Sequence, residues 1–511
     1  MFSTVTTGGI NGIQSYMVQV EVDVAQTMPG FDMVGMLSGE VREARERVRV
    51  ALRNTQIKMP PVHITVNISP ADVRKEGAAF DLPIAIGIMV SLGYIPEEYV
   101  EKTLVIGELG LDGEVKHVKG ILPIVMMAKK EGMTHCVLPQ GNVLEGAVIQ
   151  GITIIGVSSF QEALAYFTNH KDGIKGVQVN VEKLFQQQKQ EHLDFADING
   201  QESVKQAVII AAAGFHHILL TGPPGSGKTM IAKRIPSILP PLTLEESLEV
   251  TSIYSVARLL EQGKPLITKR PFLNPHHTIS EQALAGGGRI PRPGVLSLSH
   301  RGILFLDELP EFSRNTIEVL RQPLEDKEVH IARSMGNFTY PADFMLVGAA
   351  NPCPCGFYPD RNRCNCSENE VRRYRNKISG PILDRIDLCV ETPVVDIKEL
   401  TMRTNNQTSE QMREKVVIAR QIQEERYADT PFLFNAELGA KEVAEFCSLG
   451  TREQAFMEEI FYRMQLSARS YHKILKVSRT IADLEESKEI KKSHISQAVM
   501  YRKIYNETDG F

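Results

Sequence analysis

The sequence predicts an α/β protein with three structured parts: an N-terminal α/β domain, a second α/β core built on parallel strands, and a C-terminal α-helical lid. In the first part, valines alternate with polar residues over 18–24, the pattern of a half-buried strand. The second part contains the wholly apolar runs 303–306 and 344–347, which are typical of strands buried on both faces. After about residue 396 only helix-compatible segments remain, among them 408–427, 451–468 and 473–486.

The domain boundaries are predicted from changes in this pattern. We expect the N-terminal domain over 1–170, a linker over 171–195, the core over 196–395 and the lid over 396–511. The linker is polar and weakly periodic, and four of its residues between 186 and 190 are glutamines. A chain of 511 residues is long enough for about three such units.

Composition narrows the class of protein. A formal net charge of -5 excludes a chain that coats nucleic acid through its overall charge. It does not exclude a local basic face. No run approaches the roughly 18 apolar residues of a membrane span, and the N-terminus lacks a secretory signal pattern, so we expect no membrane partner. Seven cysteines without an export signal predict a reduced, cytoplasmic protein whose clustered cysteines are metal ligands.

A glycine-rich loop follows the apolar run 218–220 and precedes a helix-compatible segment. It fits G-x-x-x-x-G-K-[ST] and consists of Gly222, Pro223, Pro224, Gly225, Ser226, Gly227, Lys228 and Thr229. Such a loop turns backbone N–H groups toward phosphate oxygens, while its lysine neutralises phosphate charge and its hydroxyl holds Mg²⁺. The alternative, a glycine turn with an unrelated lysine, does not account for the flanking strand and helix. The sequence therefore predicts an ATP site with Mg²⁺.

Two carboxylates complete the predicted site. Asp307 and Glu308 directly follow the run 303–306, at the carboxyl end of a predicted buried strand. Asp307 is placed to bind the Mg²⁺ held by Thr229, and Glu308 to polarise the attacking water. Alone, the run also fits an ordinary buried strand with a polar end. Its pairing with the upstream glycine loop makes the prediction specific.

Four cysteines lie within fourteen residues and define a cysteine knuckle over 353–366: Cys353, Cys355, Cys364 and Cys366. Four thiolates can close a tetrahedral Zn²⁺ site, and the neighbouring prolines and Gly356 favour a compact loop. The alternative is four thiols without a metal, which would be prone to oxidation.

Basic residues surround this knuckle and provide the best local candidate for contact with DNA. They are Arg361, Arg363, Arg372, Arg373 and Arg375, and Tyr358 and Tyr374 could stack on bases. A solvated charged loop is the competing interpretation.

Further positions follow from a resemblance to AAA+ proteins. Asn351, after the predicted strand near 344–348, resembles the sensor that orients water and γ-phosphate. Arg385, in the segment 380–388, resembles the arginine finger offered to the ATP of a neighbouring subunit, and Arg479 resembles the second sensor on the lid. For each arginine the alternative is a surface ion pair.

Four longer motifs are similar, in order, to the YifB/ComM family of Mg-chelatase-like AAA+ proteins. They are Asn274-Pro-His-His-Thr278, Gly286-Gly-Gly-Arg-Ile-Pro-Arg-Pro-Gly294, Ser297-Leu-Ser-His300 and Asn351-Pro-Cys-Pro-Cys-Gly356. The resemblance implies a homo-oligomer, a hexameric helicase that drives branch migration of DNA in homologous recombination and natural transformation. A hairpin predicted over 328–340, with its turn at Met335-Gly336-Asn337, would present His330 and Arg333 to DNA. A hairpin that only stiffens the subunit fits equally well.

The N-terminal part resembles the Lon-protease fold (ribosomal S5 domain 2-like) through 75–83 and 107–122. Alignment puts Ala79 and Leu122 where that family has its serine and lysine, so the dyad is missing and a protease is disfavoured. The remaining alternative to a DNA motor is a Mg-chelatase-like motor that remodels a protein partner, without helicase activity.

Overall fold

A computed structural model describes residues 1–55, 57, 59–168, 175–186, 193–261, 263–288, 291–333, 336–394 and 406–503. These residues form two compact units. The first unit comprises Met1–Gln188, Thr243–Thr268 and Ala332–Tyr340, and the second comprises Lys189–Leu242, Lys269–Ile331 and Pro341–Phe511. Residues 171–174 and 187–192 of the predicted linker, Met335 of the predicted hairpin turn, Arg289 and Ile290 of a family motif, and lid residues 396–405 and 504–511 lie outside the described residues.

The strands of the described residues are β1 (Phe2–Asn11), β2 (Gln14–Ala25), β3 (Gly30–Val34), β4 (His63–Ser69), β5 (Thr103–Val105), β6 (Glu108–Leu109), β7 (Val115–Lys116), β8 (His135–Pro139), β9 (Thr153–Val157), β10 (Ile218–Thr221), β11 (Phe272–Leu273), β12 (Gly286–Gly287), β13 (Arg292–Pro293), β14 (Ile303–Leu306), β15 (Glu328–Arg333), β16 (Gly336–Pro341), β17 (Met345–Ala350) and β18 (Leu388–Glu391).

The α-helices of the same residues are α1 (Gly39–Arg42), α2 (Ala44–Asn54), α3 (Asp81–Ser91), α4 (Ile121–Lys130), α5 (Val143–Gly146), α6 (Phe160–Thr168), α7 (Val181–Gln186), α8 (Glu202–Gly214), α9 (Lys228–Ile238), α10 (Leu244–Ala257), α11 (Glu281–Ala285), α12 (Val295–Leu298), α13 (Arg314–Glu318), α14 (Pro323–Asp326), α15 (Glu368–Arg375), α16 (Gly380–Leu383), α17 (Ser409–Arg426), α18 (Ala440–Phe446), α19 (Thr451–Arg463), α20 (Ala468–Leu484) and α21 (Lys492–Lys503).

The first unit is organised around a seven-stranded sheet with the order β3-β4-β2-β1-β5-β8-β9. β2 pairs antiparallel with β1 and β4, and the remaining pairs are parallel. The predicted strand over 18–24 is confirmed, because its four valines are buried while Gln19 and Asp23 are exposed. These valines share a hydrophobic core with α3, whose residues are all buried.

Two segments that were predicted to lie in the core and in the linker also belong to this unit. Helix α10 lies within the predicted core, yet Leu248 packs into the cluster that contains α4, and Ser255 Oγ is hydrogen bonded to Glu145. Part of the predicted linker is ordered: Val177 bridges β9 at Ile154, and Val181 of α7 is buried. The division into domain, linker, core and lid stays a prediction.

The second unit contains a five-stranded parallel sheet with the order β11-β14-β17-β10-β18. The predicted apolar runs form β14 and β17, and all of their residues are buried. Because all five strands are parallel, their carboxyl ends meet at one edge of the sheet. The residues that follow β10, β14 and β17 are therefore neighbours.

The C-terminal helices share a hydrophobic core with this sheet. Val416 of α17 and Ile474 and Ile481 of α20 lie in one cluster with Ile218 and Leu220 of β10. An α/β core with a helical C-terminal region is therefore confirmed. The predicted helices 451–468 and 473–486 form α19 and α20, but α19 ends at Arg463 and α20 begins at Ala468, both earlier in the chain than predicted. The Ser467 hydroxyl accepts the Ser470 N–H at 3.2 Å and caps α20 at this earlier start.

Among the described residues, no helix has both the length and the apolar character needed to cross a membrane.

Candidate nucleotide site and its surroundings

The glycine-rich loop 222–229 connects β10 to α9 and turns sharply at two of its glycines. Gly225 and Gly227 have φ of +79° and +85°, a region that favours residues without a side chain. Gly222 faces a similar restriction, since a Cβ there would lie 2.2 Å from Thr392 Oγ1 and 2.3 Å from Thr392 O. The loop thus holds its N–H groups at the start of a helix, where anions bind.

Lys228 is buried within this loop. Its Nζ donates to the Gly222 carbonyl at 2.7 Å, to the Pro223 carbonyl at 2.9 Å and to Asn351 Oδ1 at 3.2 Å. Burial lowers the pKa of Lys228, and the nearby Asp307 and Glu308 partly oppose that shift. The structure therefore brings the predicted lysine and the predicted sensor asparagine into direct contact.

Thr229 and Asp307 also meet. The Thr229 hydroxyl donates to Asp307 Oδ2 at 2.8 Å, and Asp307 Oδ1 accepts the N–H of Glu308 at 3.0 Å. The hydroxyl and the carboxylate form an oxygen pair that would hold Mg²⁺, and the ion would supply positive charge to offset charge that develops on the phosphates. Glu308 adopts φ of +52° and its carboxylate is half exposed, which leaves it accessible to water.

Two features beside these residues were not identified from the sequence. His277, known only as part of a family motif, places Nδ1 3.8 Å from Glu308 Oε2. Gln201 donates through Nε2 to the Ser226 carbonyl at 2.8 Å, and the Ser226 and Thr392 hydroxyls lie 2.9 Å apart. Gln201 and Thr392 come from segments far apart in the chain, so no local motif reports them.

Arg385 lies away from the loop, beside a second arginine. Its guanidinium approaches Glu325 Oε1 at 2.5 Å and the Pro381 carbonyl at 2.6 Å, and Arg469 lies 3.6 Å from the same Glu325 oxygen. Arg385, Glu325 and Arg469 line a cavity of about 330 Å³, which also includes Lys473 and is here named the arginine cavity. Arg469 was not identified from the sequence.

An ion pair anchors the backbone that follows Arg385. Asp387 Oδ1 lies 2.7 Å from Lys473 Nζ, and Asp387 Oδ2 accepts the N–H of His217 at 3.1 Å. Burial alone would raise the pKa of Asp387, but Lys473 and the two neighbouring histidines hold it well below its usual value. Burial lowers the pKa of Lys473 to about 8. The pair ties the segment of Arg385 to α20, the helix that carries Arg469.

Arg479 is buried in α20 and paired with residues of its own helix and of the turn that follows it. It is only 3% exposed, and it donates to Asp483 Oδ1 at 3.1 Å and to the Lys488 carbonyl at 2.8 Å. Asp483 also accepts from Arg426, with which it forms a bidentate pair. Arg479 thus holds the turn that follows α20, and it is not among the residues grouped around Lys228. Its role as a second sensor stays a prediction.

The cysteine knuckle begins two residues after Asn351. The four Sγ atoms all lie within 4.8 Å of one another, and those of Cys353, Cys355 and Cys364 are separated by 3.3 to 3.8 Å. These separations are too long for a disulfide, whose sulfurs lie about 2.05 Å apart. A tetrahedral zinc with Zn–S bonds of about 2.3 Å requires sulfurs about 3.8 Å apart. The donor set therefore fits a four-thiolate zinc site.

The basic residues near the knuckle divide into two groups. Arg361 and Arg375 each lie 5.2 Å from the Tyr358 ring centre, and Arg363 lies 4.1 Å from that of Phe357. These three guanidinium groups help to cover the knuckle itself. By contrast, Arg372 and Arg373 are exposed on α15. Tyr374 is buried beneath Lys377, which removes it as a surface for base stacking.

The predicted hairpin forms as β15 and β16, which pair in a two-stranded sheet. The second strand already begins at Gly336, one residue after the start of the predicted turn. His330 and Arg333 are both exposed on β15. They are therefore accessible, as contact with DNA would require.

The positions aligned with the Lon dyad carry apolar side chains in the first unit. Leu122 is fully buried in α4, and Ala79 packs against the same hydrophobic cluster. Neither side chain can act as a nucleophile or a base.

Family models match most of the chain. The model described as "Magnesium chelatase, subunit ChlI" matches residues 194–400, "Subunit ChlI of Mg-chelatase" matches 20–142, and "Magnesium chelatase, subunit ChlI C-terminal" matches 406–502. The second and third models extend the match to the N-terminal unit and the C-terminal helices.

Curated proteins give the same result. The chain is 39% identical to the competence protein ComM of Haemophilus influenzae over 492 residues, which cover 96% of this chain and 95% of ComM. It is 37% identical to YifB of Escherichia coli over 505 residues, which cover 98% and 97% of the two chains. The magnesium-chelatase 38 kDa subunit of Cereibacter sphaeroides is 26% identical over 174 residues, or 31% of this chain and 52% of the subunit. Similarity to ComM and YifB thus extends over nearly the whole chain.

Proposed function

The chain belongs to the Mg-chelatase-like AAA+ family that includes ComM and YifB, and on this premise we propose that it is an ATP-driven motor that remodels DNA. The finer proposal is a hexameric helicase that drives branch migration in homologous recombination and natural transformation. The observation that carries the ATP-driven part is the contact of Thr229 with Asp307 beside that of Lys228 with Asn351. These contacts join four predicted site residues that come after three neighbouring strands, β10, β14 and β17.

Hydrolysis follows from the roles of these side chains. Lys228 binds β/γ-phosphate oxygens, and Thr229 with Asp307 would hold Mg²⁺. Glu308 accepts a proton from the attacking water, while Asn351 orients that water and the γ-phosphate. The imidazole of His277 places Nδ1 3.8 Å from Glu308 Oε2. It can hold the carboxylate until water and nucleotide are in place.

Arg385 is assigned to a neighbouring subunit's ATP. Its partners Glu325 and Pro381 lie outside the glycine-rich loop 222–229, which is here named the phosphate loop, as expected for an arginine that serves another copy of the chain. Arg469 contacts the same Glu325 carboxylate as Arg385, so the two arginines could bind one phosphate group together. Arg479, in contrast, is paired with Asp483. A ring of identical subunits would bring these arginines to each nucleotide.

DNA is proposed as the substrate on two grounds. ComM, which is similar over nearly the whole chain, is named as a competence protein. In this chain Arg372 and Arg373 on α15 and Arg333 on β15 are exposed cations suited to phosphate contacts. We also propose that the cysteine knuckle holds Zn²⁺, since its four sulfurs are already grouped at nearly the required separations.

The direct test is migration of a labelled four-way DNA junction by the full-length protein with ATP and Mg²⁺. We expect strand exchange that stops when Glu308 is changed to glutamine. An Arg372→Ala/Arg373→Ala variant should bind the junction more weakly, with a shallower dependence of affinity on salt.

A matched control is Arg452→Ala/Arg463→Ala, which removes two exposed arginines from α19. ATP hydrolysis without junction binding or migration would reject the DNA motor. It would favour the alternative, a motor of the same family that remodels a protein.

A further inference from the structure

The cysteine knuckle touches the phosphate loop at one point of close approach. Gly356 adopts φ of +84°, and a Cβ at this position would lie 2.4 Å from Pro224 Cδ and 2.7 Å from Pro224 Cγ. Pro224 is the third residue of the phosphate loop. Since Cβ atoms do not come so near to other carbons, only glycine lets the knuckle pack against this proline.

The same stretch of backbone reaches the other side of the nucleotide site. The side-chain oxygen Oδ1 of Asn351 accepts from Lys228 Nζ at 3.2 Å, and the backbone carbonyl of the next residue, Pro352, accepts from Arg375 Nε at 3.3 Å. Within the knuckle, the Gly356 N–H donates to the Cys353 carbonyl at 2.9 Å. The segment 351–356 therefore connects Lys228 and Pro224 through a turn whose shape depends on Cys353.

The apolar interior of the knuckle is small. Its buried members are Cys353, Cys364 and Val371, joined by the partly buried Cys355, Cys366, Phe357 and Tyr358. Four of these seven residues are the cysteines themselves, so without a cross-link this cluster has little hydrophobic surface to fix the turn. When cysteines bind a metal, the free energy of binding stabilises the folded loop.

We propose that the cysteine knuckle supports the phosphate loop through the contact between Gly356 and Pro224, so that metal bound by the four cysteines sets the affinity of the chain for ATP. This inference rests on the proposed zinc site. It gives the knuckle a task distinct from contact with DNA, since the support operates without nucleic acid.

The first test measures zinc and nucleotide binding on the same full-length protein. Zinc content is determined by mass spectrometry, and the affinity for a fluorescent ATP analogue is measured with Mg²⁺ and without DNA. Zinc is then removed with a chelator that does not bind Mg²⁺, and later restored. We expect affinity for the analogue to fall by about tenfold on removal and to recover on restoration.

The outcomes separate the two proposals. A protein that neither contains zinc nor takes it up contradicts the zinc site. A protein that loses and regains zinc with unchanged affinity for the analogue keeps the zinc site and overturns the proposed support.

The second test changes the contact without changing a cysteine. Gly356→Ala introduces a Cβ against Pro224, and we expect zinc content to stay normal while affinity for the analogue falls by about tenfold. Gly132→Ala is the matched control, because Gly132 has a similar φ of +79° and no atom within 4 Å of its Cβ position. Equal affinity of the two variants would overturn the proposal. If Gly356→Ala does not fold, the zinc-removal experiment alone tests whether the knuckle supports the phosphate loop.

Discussion

The phosphate loop and the arginine cavity hold their cations in two different ways. Lys228 is buried and donates to three neutral oxygens, two of them carbonyls of its own loop. Arg385 and Arg469 instead converge on the carboxylate of Glu325, a half-exposed side chain. Neutral oxygens keep Lys228 in position without neutralising its charge, whereas a carboxylate competes with phosphate for both arginines. On the proposed function, the loop is preorganised for its own nucleotide, and the two arginines would exchange Glu325 for an anion that belongs to another subunit.

The largest loss of activity is expected on substitution of Arg385. An Arg385→Ala variant should lose about a thousandfold in ATP turnover while it still binds the ATP analogue, because an arginine finger acts on the transition state. Mixing this variant with Lys228→Ala subunits should recover part of the activity, since each supplies what the other lacks. Steady-state hydrolysis over a range of mixing ratios is the measurement. Absence of recovery in rings that demonstrably mix would argue against action between subunits.

A second prediction separates structural arginines from those that contact nucleotide. Arg479→Met should lower the free energy of unfolding by about 4 kcal/mol, because it leaves the buried Asp483 carboxylate with one fewer partner. Affinity of the folded variant for the ATP analogue should be unchanged. Arg426→Met, which removes the other partner of Asp483, is the matched control and should behave alike. A selective loss of nucleotide affinity in Arg479→Met would instead support the predicted role of Arg479 as a second sensor.

A third prediction concerns the ion pair that anchors the segment of Arg385. Asp387→Asn should cost about 3 kcal/mol of unfolding free energy at neutral pH, since Lys473 remains buried without its partner. The depressed pKa of Asp387 means that its contribution is present above the unfolded value of about 4 and is lost as the pH falls further. Chemical denaturation between about pH 2 and pH 5, the range in which a native carboxylate of depressed pKa loses its charge, should therefore show a shallower acid dependence in the variant. Parallel curves for the two proteins would contradict this assignment.

The smallest expected effect belongs to Glu325. Its side chain is half exposed, and exposed ion pairs contribute only about 1 kcal/mol or less. Glu325→Gln should therefore raise basal ATP turnover by about threefold at most, because both arginines lose a competitor for phosphate. Glu318→Gln removes a carboxylate paired with Arg321 instead and serves as the control. A decrease in turnover would indicate that Glu325 positions the arginines and does not compete for them.

The same two regions also differ in how far the sequence predicted them. The phosphate loop and Asp307 were found because each is a short motif at the end of a buried strand, and parallel pairing then forces their proximity. The arginine cavity joins α14, the segment after α16 and α20, which no local pattern connects. Arg469 and Glu325 were therefore missed, and the burial of Arg479 against Asp483 could not be foreseen.

The surroundings of the knuckle show the same limit. Spacing alone identified the four cysteines and the arginines around them. Arg363 and Arg375 lie against Phe357 and Tyr358, so their position depends on how the loop closes and not on their place in the sequence. Only the period of α15, with Val371 buried and Arg372 exposed, follows from helix geometry.

Whether the chain is an ATP-driven motor is decided by measuring ATP hydrolysis of the full-length protein with Mg²⁺, in the presence and absence of branched DNA. We expect hydrolysis that DNA stimulates and that falls by about a hundredfold in Glu308→Gln, which should still bind the ATP analogue. A protein that binds neither ATP nor its analogue, or a Glu308→Gln variant that hydrolyses ATP at the original rate, would contradict the account.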